Sequence, residues 1–251
     1  MPEKVASPVS PAGTPTVWFV GAGPGNPDLI TVKGLRLLKE ADVLIYAGSL
    51  VNPELVAQSG AGIRLDSWGM HLPELVHEME TYAKAGKKVV RLHSGDPSLY
   101  GAIVEQIAEL EKRGVTVGIV PGVSSLFAAA AALKTQLTLR GISDSLIVTR
   151  PAGKTLESDQ ITEFSRLGTT MVIFLGTEKL EAITAKLTCP PSTPAAVVYH
   201  ASWQDEKIVR GTVATIAKKA REAGIEHTAL LVIGGVVEPE QSGYTQSHLY
   251  S

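Results

Sequence analysis

The sequence predicts an α/β protein of two domains, each built on a mostly parallel or mixed sheet, with a cleft between them. Short apolar runs alternate with segments of helical spacing from Thr16 to Gly235. Glycine-containing loops join strand ends to helix starts, as in parallel sheets covered on both faces. The 251 residues suffice for two domains of about 110 residues each.

Thr16 to Val20 predicts the first strand, followed by the loop Gly21 to Asp28. Apolar residues at Leu29, Ile30, Val32, Leu35, Leu38 and Ala41 recur at helical spacing, with Asp28 as the expected N-cap. Val43 to Tyr46 predicts a buried strand. Leu72 to Ala85 predicts a helix leading to the strand Lys88 to Leu92, and Ala102 to Lys112 a helix closed by Gly114 and leading to the strand Val115 to Val120. The Ala-rich stretch Ser124 to Leu133 opens a second set. Strands are expected at Ser145 to Thr149, Thr170 to Leu175, Ala195 to Tyr199 and Leu230 to Gly235, with helices near Ser158 to Leu167, Glu178 to Leu187 and Val213 to Ala223. Ile208 to Arg210 reads as a further short strand in a hairpin, which makes the second sheet mixed. The expected division is a leader at 1–15, domains at 16–122 and 123–239, and a flexible tail at 240–251. The boundary falls near residues 121 to 140.

Composition narrows the function. Lys and Arg (23) nearly cancel Asp and Glu (25), for a net charge of −2, whereas nucleic-acid binders carry a basic face. Aromatics at 5% leave few stacking platforms for bases. One cysteine, Cys189, excludes an intrachain disulfide and points to a reducing cytoplasm. No apolar run reaches the ~20 residues of a spanning helix. A small-molecule enzyme is the expectation, with no metal: the six histidines, His71, His77, His93, His200, His227 and His248, contain neither a helical i, i+4 pair nor an H-E-x-x-H.

The loop Gly21-Ala22-Gly23-Pro24-Gly25-Asn26 fails as a dinucleotide fingerprint, because Asn26 stands where the third glycine belongs and Pro24 removes an amide. Gly153-Lys154-Thr155 fails as a phosphate loop, because Val148 occupies the place of its first glycine. His93-Ser94-Gly95-Asp96-Pro97-Ser98-Leu99-Tyr100-Gly101 is more informative. It lies at the carboxyl end of a strand, where open α/β sheets take ligands, although a Gly-Asp-Pro turn needs no ligand. Pro121-Gly122-Val123-Ser124-Ser125 again joins a strand to a helix, and its serines can serve simply as caps.

In this order these pieces resemble the tetrapyrrole methylase family over about Val17 to Pro239. GAGPGNPDLITVKG at Gly21 to Gly34 is similar to the family's opening signature, HSGDPSLYGA at His93 to Ala102 to its GDP loop, and PGVSS to its third motif. Tyr46-Ala47-Gly48-Ser49-Leu50-Val51, Gly69-Met70-His71-Leu72 and Tyr199 to Arg210 resemble the corrin-forming branch that methylates C11, not the sirohaem-forming branch with its GGDP loop.

The resemblance implies S-adenosylmethionine bound between the two domains, released as S-adenosylhomocysteine. By the same resemblance Pro24, Ser94, Gly95, Asp96, Pro97, Ser124, Ser125, Leu175, Ala201, Thr228 and Ala229 match positions that contact it. The implied substrate is precorrin-4, with overall resemblance favouring the metal-free form. A homodimer is implied by family habit. If a side chain accepts the proton released, Asp28, His71, His93 and Tyr100 are the candidates. Their ordinary roles as cap, loop residue, strand end and core tyrosine stand beside that reading. Lys33, Arg36, Arg64, Arg140 and Arg150 are candidate partners for substrate carboxylates. A binding protein without turnover, or a methylase of another substrate, are the alternatives.

Overall fold

The computed structural model describes residues 15–48 and 50–247. Most of the expected leader, Ser49, and the chain end with His248 lie outside the described residues. Contacts divide the chain into two compact units, one of Ile30–Gly122 with the residues up to Ala22, the other of Gly23–Leu29 with the chain from Val123 onward. Gly23–Leu29, expected in the first domain, thus groups with the second unit.

In the first unit, β1 (Val17–Gly21), β2 (Val43–Tyr46), β3 (Ile63–Asp66), β4 (Val89–His93) and β5 (Val117–Val120) form one parallel sheet of order β3-β2-β4-β1-β5. Because side chains alternate along a strand, the inner strands β1, β2 and β4 each serve two cores. Phe19, Ile45 and Val89 pack with Val76 and Met79 of α3 (Leu72–Lys84) and Leu110 of α4 (Ile103–Lys112). Val20, Leu44 and Leu92 pack with Leu38 of α1 (Val32–Glu40) and Leu55 of α2 (Pro53–Ala57). Full burial of each such side chain stabilises by about 1.5–3 kcal/mol.

In this unit two elements were not expected, α2 and β3, and one cap differs. Helix α1 starts at Val32, and its N-cap is Thr31, whose Oγ1 accepts the Gly34 amide at 3.1 Å. Asp28 sits instead in a single 3-10 turn, Pro27–Leu29, with its amide donating to Asn26 Oδ1 at 2.9 Å. The Asn26 side chain closes that turn locally, which separates Asp28 from the helix.

In the second unit, β6 (Leu146–Thr149), β7 (Thr170–Ile173), β8 (Pro194–Tyr199), β9 (Lys207–Thr212) and β10 (Ala229–Ile233) form a mixed sheet of order β6-β7-β10-β8-β9. Only β6 and β7 pair in parallel, and β8 and β9 form the expected hairpin. Met171, Ile173, Val197 and Leu231 pack with Ile161 of α6 (Ile161–Phe164), Ile183 of α7 (Leu180–Lys186) and Ile216 of α8 (Ile216–Glu222). On the other face Val172, Ala196, Val198 and Val232 are also buried, and α5 (Ser125–Leu133) packs on β10. Past β10, Pro239–Ser242 forms α9, and the Thr245 amide donates to Arg140 O at 3.0 Å, inside the stretch expected to be a flexible tail.

Candidate active site

At the carboxyl edge of the first sheet, the ends of β1, β4 and β5 converge through glycines. A Cβ on Gly122 would stand 2.2 Å from Gly95 O and 2.8 Å from Gly21 Cα, and one on Gly21 would stand 2.5 Å from Gly122 Cα. Only bare backbone fits there. Asp96 locks the arrangement: Oδ2 accepts the Gly122 amide at 2.8 Å, while Oδ1 accepts the Ser98 amide at 2.8 Å and the Ser98 hydroxyl. Burial pushes the Asp96 carboxyl up, but these donors outweigh it and hold it below its usual range. Gly95, Tyr100 and Ala102 all have positive φ, at 60°, 57° and 48°. Strain of this kind in non-glycine residues clusters at ligand sites.

The proton-acceptor candidates are spread. His93 ends β4 and is 9% exposed, stacked on Phe19 at 5.7 Å, with Nε2 buried and unpartnered. Burial, then the Arg91 charge, drives its imidazole down to about 3, so it is neutral at pH 7 and a weak proton acceptor. Arg91, two residues earlier on the same face, is 7% exposed, and burial lowers it to about 10 against the opposing pull of Asp66. His71 is exposed at the N-cap of α3, where its amide donates to Glu74 Oε2 at 3.0 Å. Tyr100 and Asp28 are exposed as well.

The second sheet has its own strained edge. β7 and β8 both run antiparallel to β10, so their carboxyl ends meet its start. Leu175, His200, Ser202 and Thr228 there have φ of 54°, 45°, 73° and 52°. Thr177 Oγ1 donates to Ala229 O and accepts from Ala229 N, both at 3.1 Å, which closes the edge. The loop Gly23–Asn26 leans on the same place: Trp203 Nε1 donates to Pro24 O at 3.0 Å, and Asn26 N to Ser202 Oγ at 3.0 Å. Pro24, Leu175, Ala201, Thr228 and Ala229 are therefore brought together on one edge. Ser124 is the buried N-cap of α5, its Oγ accepting the Leu126 amide at 3.4 Å, and Ser125 begins that helix.

Sequence reasoning missed the groups that hold this edge. His200 stacks between Tyr199 at 3.8 Å and Trp203 at 5.1 Å, and its Nδ1 lies 3.0 Å from both Asp205 oxygens. The His200 hydrogen bond holds Asp205 below its usual range, while burial and the Asp205 charge push the Tyr199 phenol up. The run Tyr199-His200-Ala201-Ser202-Trp203-Gln204-Asp205 was the available signal, with three aromatic rings and a carboxylate inside seven residues. Most candidate carboxylate partners are engaged within the chain. Lys33 lies over the Trp18 ring at 4.7 Å, Arg64 donates to Ser59 O, Arg140 to Gln246 O and Arg150 to Thr155, while Arg36 is exposed on α1.

A parallel sheet and a mixed sheet, each with glycine-rich or strained loops at one edge, define a tetrapyrrole methylase. The chain belongs to that family: the family model Tetrapyrrole (Corrin/Porphyrin) Methylases matches residues 16–217. Among its relatives is the cobalt-precorrin-4 C(11)-methyltransferase of Methanocaldococcus jannaschii, 49% identical over 92% of this chain and 91% of that protein. The precorrin-4 C(11)-methyltransferase of Rhodococcus erythropolis is 42% identical over 94% and 96%. The X-ray structure of a cobalt precorrin-4 methyltransferase of cobalamin biosynthesis superposes with a TM-score of 0.86 at 43% identity, covering 89% of this chain and 96% of that one. The uroporphyrin-III C-methyltransferase of Thermus thermophilus, complexed with S-adenosylhomocysteine, gives 0.78 at 31% identity, covering 89% and 99%. Among the described residues no helix is long and apolar enough to cross a membrane, and no cluster of three or more His, Cys, Asp or Glu could hold a metal ion.

Proposed function

We propose that the chain transfers a methyl group from S-adenosylmethionine to C11 of precorrin-4, giving precorrin-5 in cobalamin biosynthesis. One observation carries the reading. Relatives matching nine-tenths of the chain are named for cobalt-carrying and metal-free substrates, yet share one acceptor carbon, C11. The cobalt form is a second reading, because the relatives at 49% and 44% are the cobalt-precorrin-4 enzymes. The lean toward a metal-free substrate is not supported by these identities.

When bound, S-adenosylmethionine supplies an electrophilic methyl on a sulfonium, and what remains for the protein is positioning with water excluded. Leu175, Ala201, Thr228 and Ala229 present peptide groups beside small or apolar side chains, which fits an adenosyl group. Gly21 and Gly122 let the loops after β1 and β5 pack backbone to backbone against Gly95 O. The Asp96 carboxylate acts by holding the Gly95 and Gly122 loops together. The C11 nucleophile gains its electron density from the conjugated ring nitrogen, whose proton leaves as the new bond forms. His93, neutral and sealed, is poorly suited to take it, while Asp28, His71 and Tyr100 are open to solvent.

Incubation with S-adenosylmethionine and either precorrin-4 or cobalt-precorrin-4 tests the reading. Release of S-adenosylhomocysteine with NMR placing the new methyl on C11 is the expected result, and the better of the two substrates identifies the route. A methyl on another carbon, or no calorimetric binding of S-adenosylhomocysteine at pH 7, overturns it.

A further inference from the structure

Trp68 is 73% exposed, yet the turn carrying it is tightly held. Its amide donates to Asp66 Oδ1 at 2.9 Å, and the same oxygen accepts the Gly48 amide at 3.0 Å. The Ser67 amide and hydroxyl both donate to Tyr46 O, at 2.8 and 3.1 Å. Gly69 takes a φ of 83°, Met70 N donates to Ser67 O at 3.1 Å, and the Met70 side chain packs on the core beneath. A large indole fixed in water by such a frame has given up apolar burial that a looser turn would allow.

The position names an occupant. Strands β3, β2 and β4 are neighbours running in one direction, so the loops after them share the sheet edge that takes ligands. Each loop offers one exposed large apolar side chain: Trp68, Leu50 (47% exposed) and Tyr100 (42% exposed). Strands about 4.8 Å apart spread three loops over roughly 10 Å, the scale of a four-ring macrocycle. We infer that Trp68, with Leu50 and Tyr100 beside it, is the apolar platform on which the face of the tetrapyrrole substrate rests. The inference rests on the tetrapyrrole methylation proposed above. Asp66, which accepts the Trp68 and Gly48 amides, is the positioning residue that keeps the platform rigid.

Steady-state kinetics of Trp68→Ala with the better precorrin-4 form should show KM for the tetrapyrrole raised about tenfold, the loss of one stacking contact, and kcat within about twofold. The affinity for S-adenosylhomocysteine by calorimetry should be unchanged, and Trp68→Phe should restore most of the KM. Tetrapyrrole binding should also quench tryptophan emission, by a larger fraction in the unsubstituted protein than in Trp68→Phe. A KM for Trp68→Ala equal to that of the unsubstituted protein, or equal quenching in Trp68→Phe, overturns the platform. Failure of the unsubstituted protein to methylate C11 overturns the reaction instead, and the quenching comparison then decides the platform alone.

Discussion

The Asp96 carboxylate accepts the Gly122 amide at 2.8 Å and thereby ties the loop after β4 to the loop after β5 across 26 positions of sequence. Its other oxygen is filled by Ser98, so both carboxylate oxygens are spent on fixing backbone and side chain within the loops. Charge-assisted hydrogen bonds contribute about 1.5–3 kcal/mol each when well buried, and half-exposure places Asp96 at the low end. Asp96→Ala is expected to lower the unfolding free energy by about 2 kcal/mol and to weaken S-adenosylhomocysteine binding as the loops separate. Because the folded carboxyl titrates below its unfolded value, its contribution is present above the unfolded pKa and lost as pH falls through the folded one. Urea midpoints from pH 7 to 3 should fall less steeply in Asp96→Asn.

The glycine contact makes a sharper prediction. In Gly122→Ala the new methyl would stand 2.2 Å from Gly95 O, and the obstructing atom is backbone, which cannot rotate away. The loops must part, at about 3 kcal/mol or more for the strain. A methyl added at Gly62 would meet nothing within 4 Å, and the backbone there has no positive φ, so Gly62→Ala should stay within about 0.5 kcal/mol. Denaturant unfolding of both variants checks the contrast.

Buried His93 sets an acid limb of its own. Its folded pKa of about 3 lies below the ordinary imidazole value of 6.5, so the unfolded chain takes up a proton that the folded one refuses. Stability from this residue is intact above pH 6.5 and declines as pH falls toward 3, with a slope approaching about 1.4 kcal/mol per pH unit. His93→Gln should flatten that slope in urea titrations between about pH 6.5 and 4.5. In NMR the His93 ring signals should stay constant from about pH 7 to 5, and a midpoint near 6.5 would contradict the burial argument.

The strands with an apolar run, such as Val43–Tyr46 and the first half of Val89–His93, were legible because burial on both faces favours apolar side chains, although β4 also buries Arg91 and His93. Strand β3 was not, since Ile63-Arg64-Leu65-Asp66 lies at the sheet edge and alternates between apolar and charged. Helix α2 is too short for any periodicity. The three glycine-bearing loops were visible one by one, but the contact of Gly21, Gly95 and Gly122 is tertiary and leaves no local pattern. Asp96 could be chosen from its motif, whereas its partner, the Gly122 amide, could not. The Trp203 to Pro24 bond was hidden for the same reason, joining segments 179 positions apart.

That bond gives the last prediction. The indole of Trp203 donates to Pro24 O at 3.0 Å and packs against Gly25, where a Cβ would come within 2.1 Å of the ring. Trp203→Phe removes the donor but keeps most of the ring, so stability should fall by only about 1 kcal/mol. The half-buried Pro24 carbonyl can turn to water, but the loop then loses one fastening, while Asn26 N on Ser202 Oγ remains. Gly25→Ala pushes the whole indole away and should be worse for both stability and binding. If Pro24 borders the ligand, S-adenosylhomocysteine affinity should drop severalfold in Trp203→Phe and further in Gly25→Ala, in that order. Unchanged calorimetric affinity in both variants would show that the loop fastens the fold without touching the ligand.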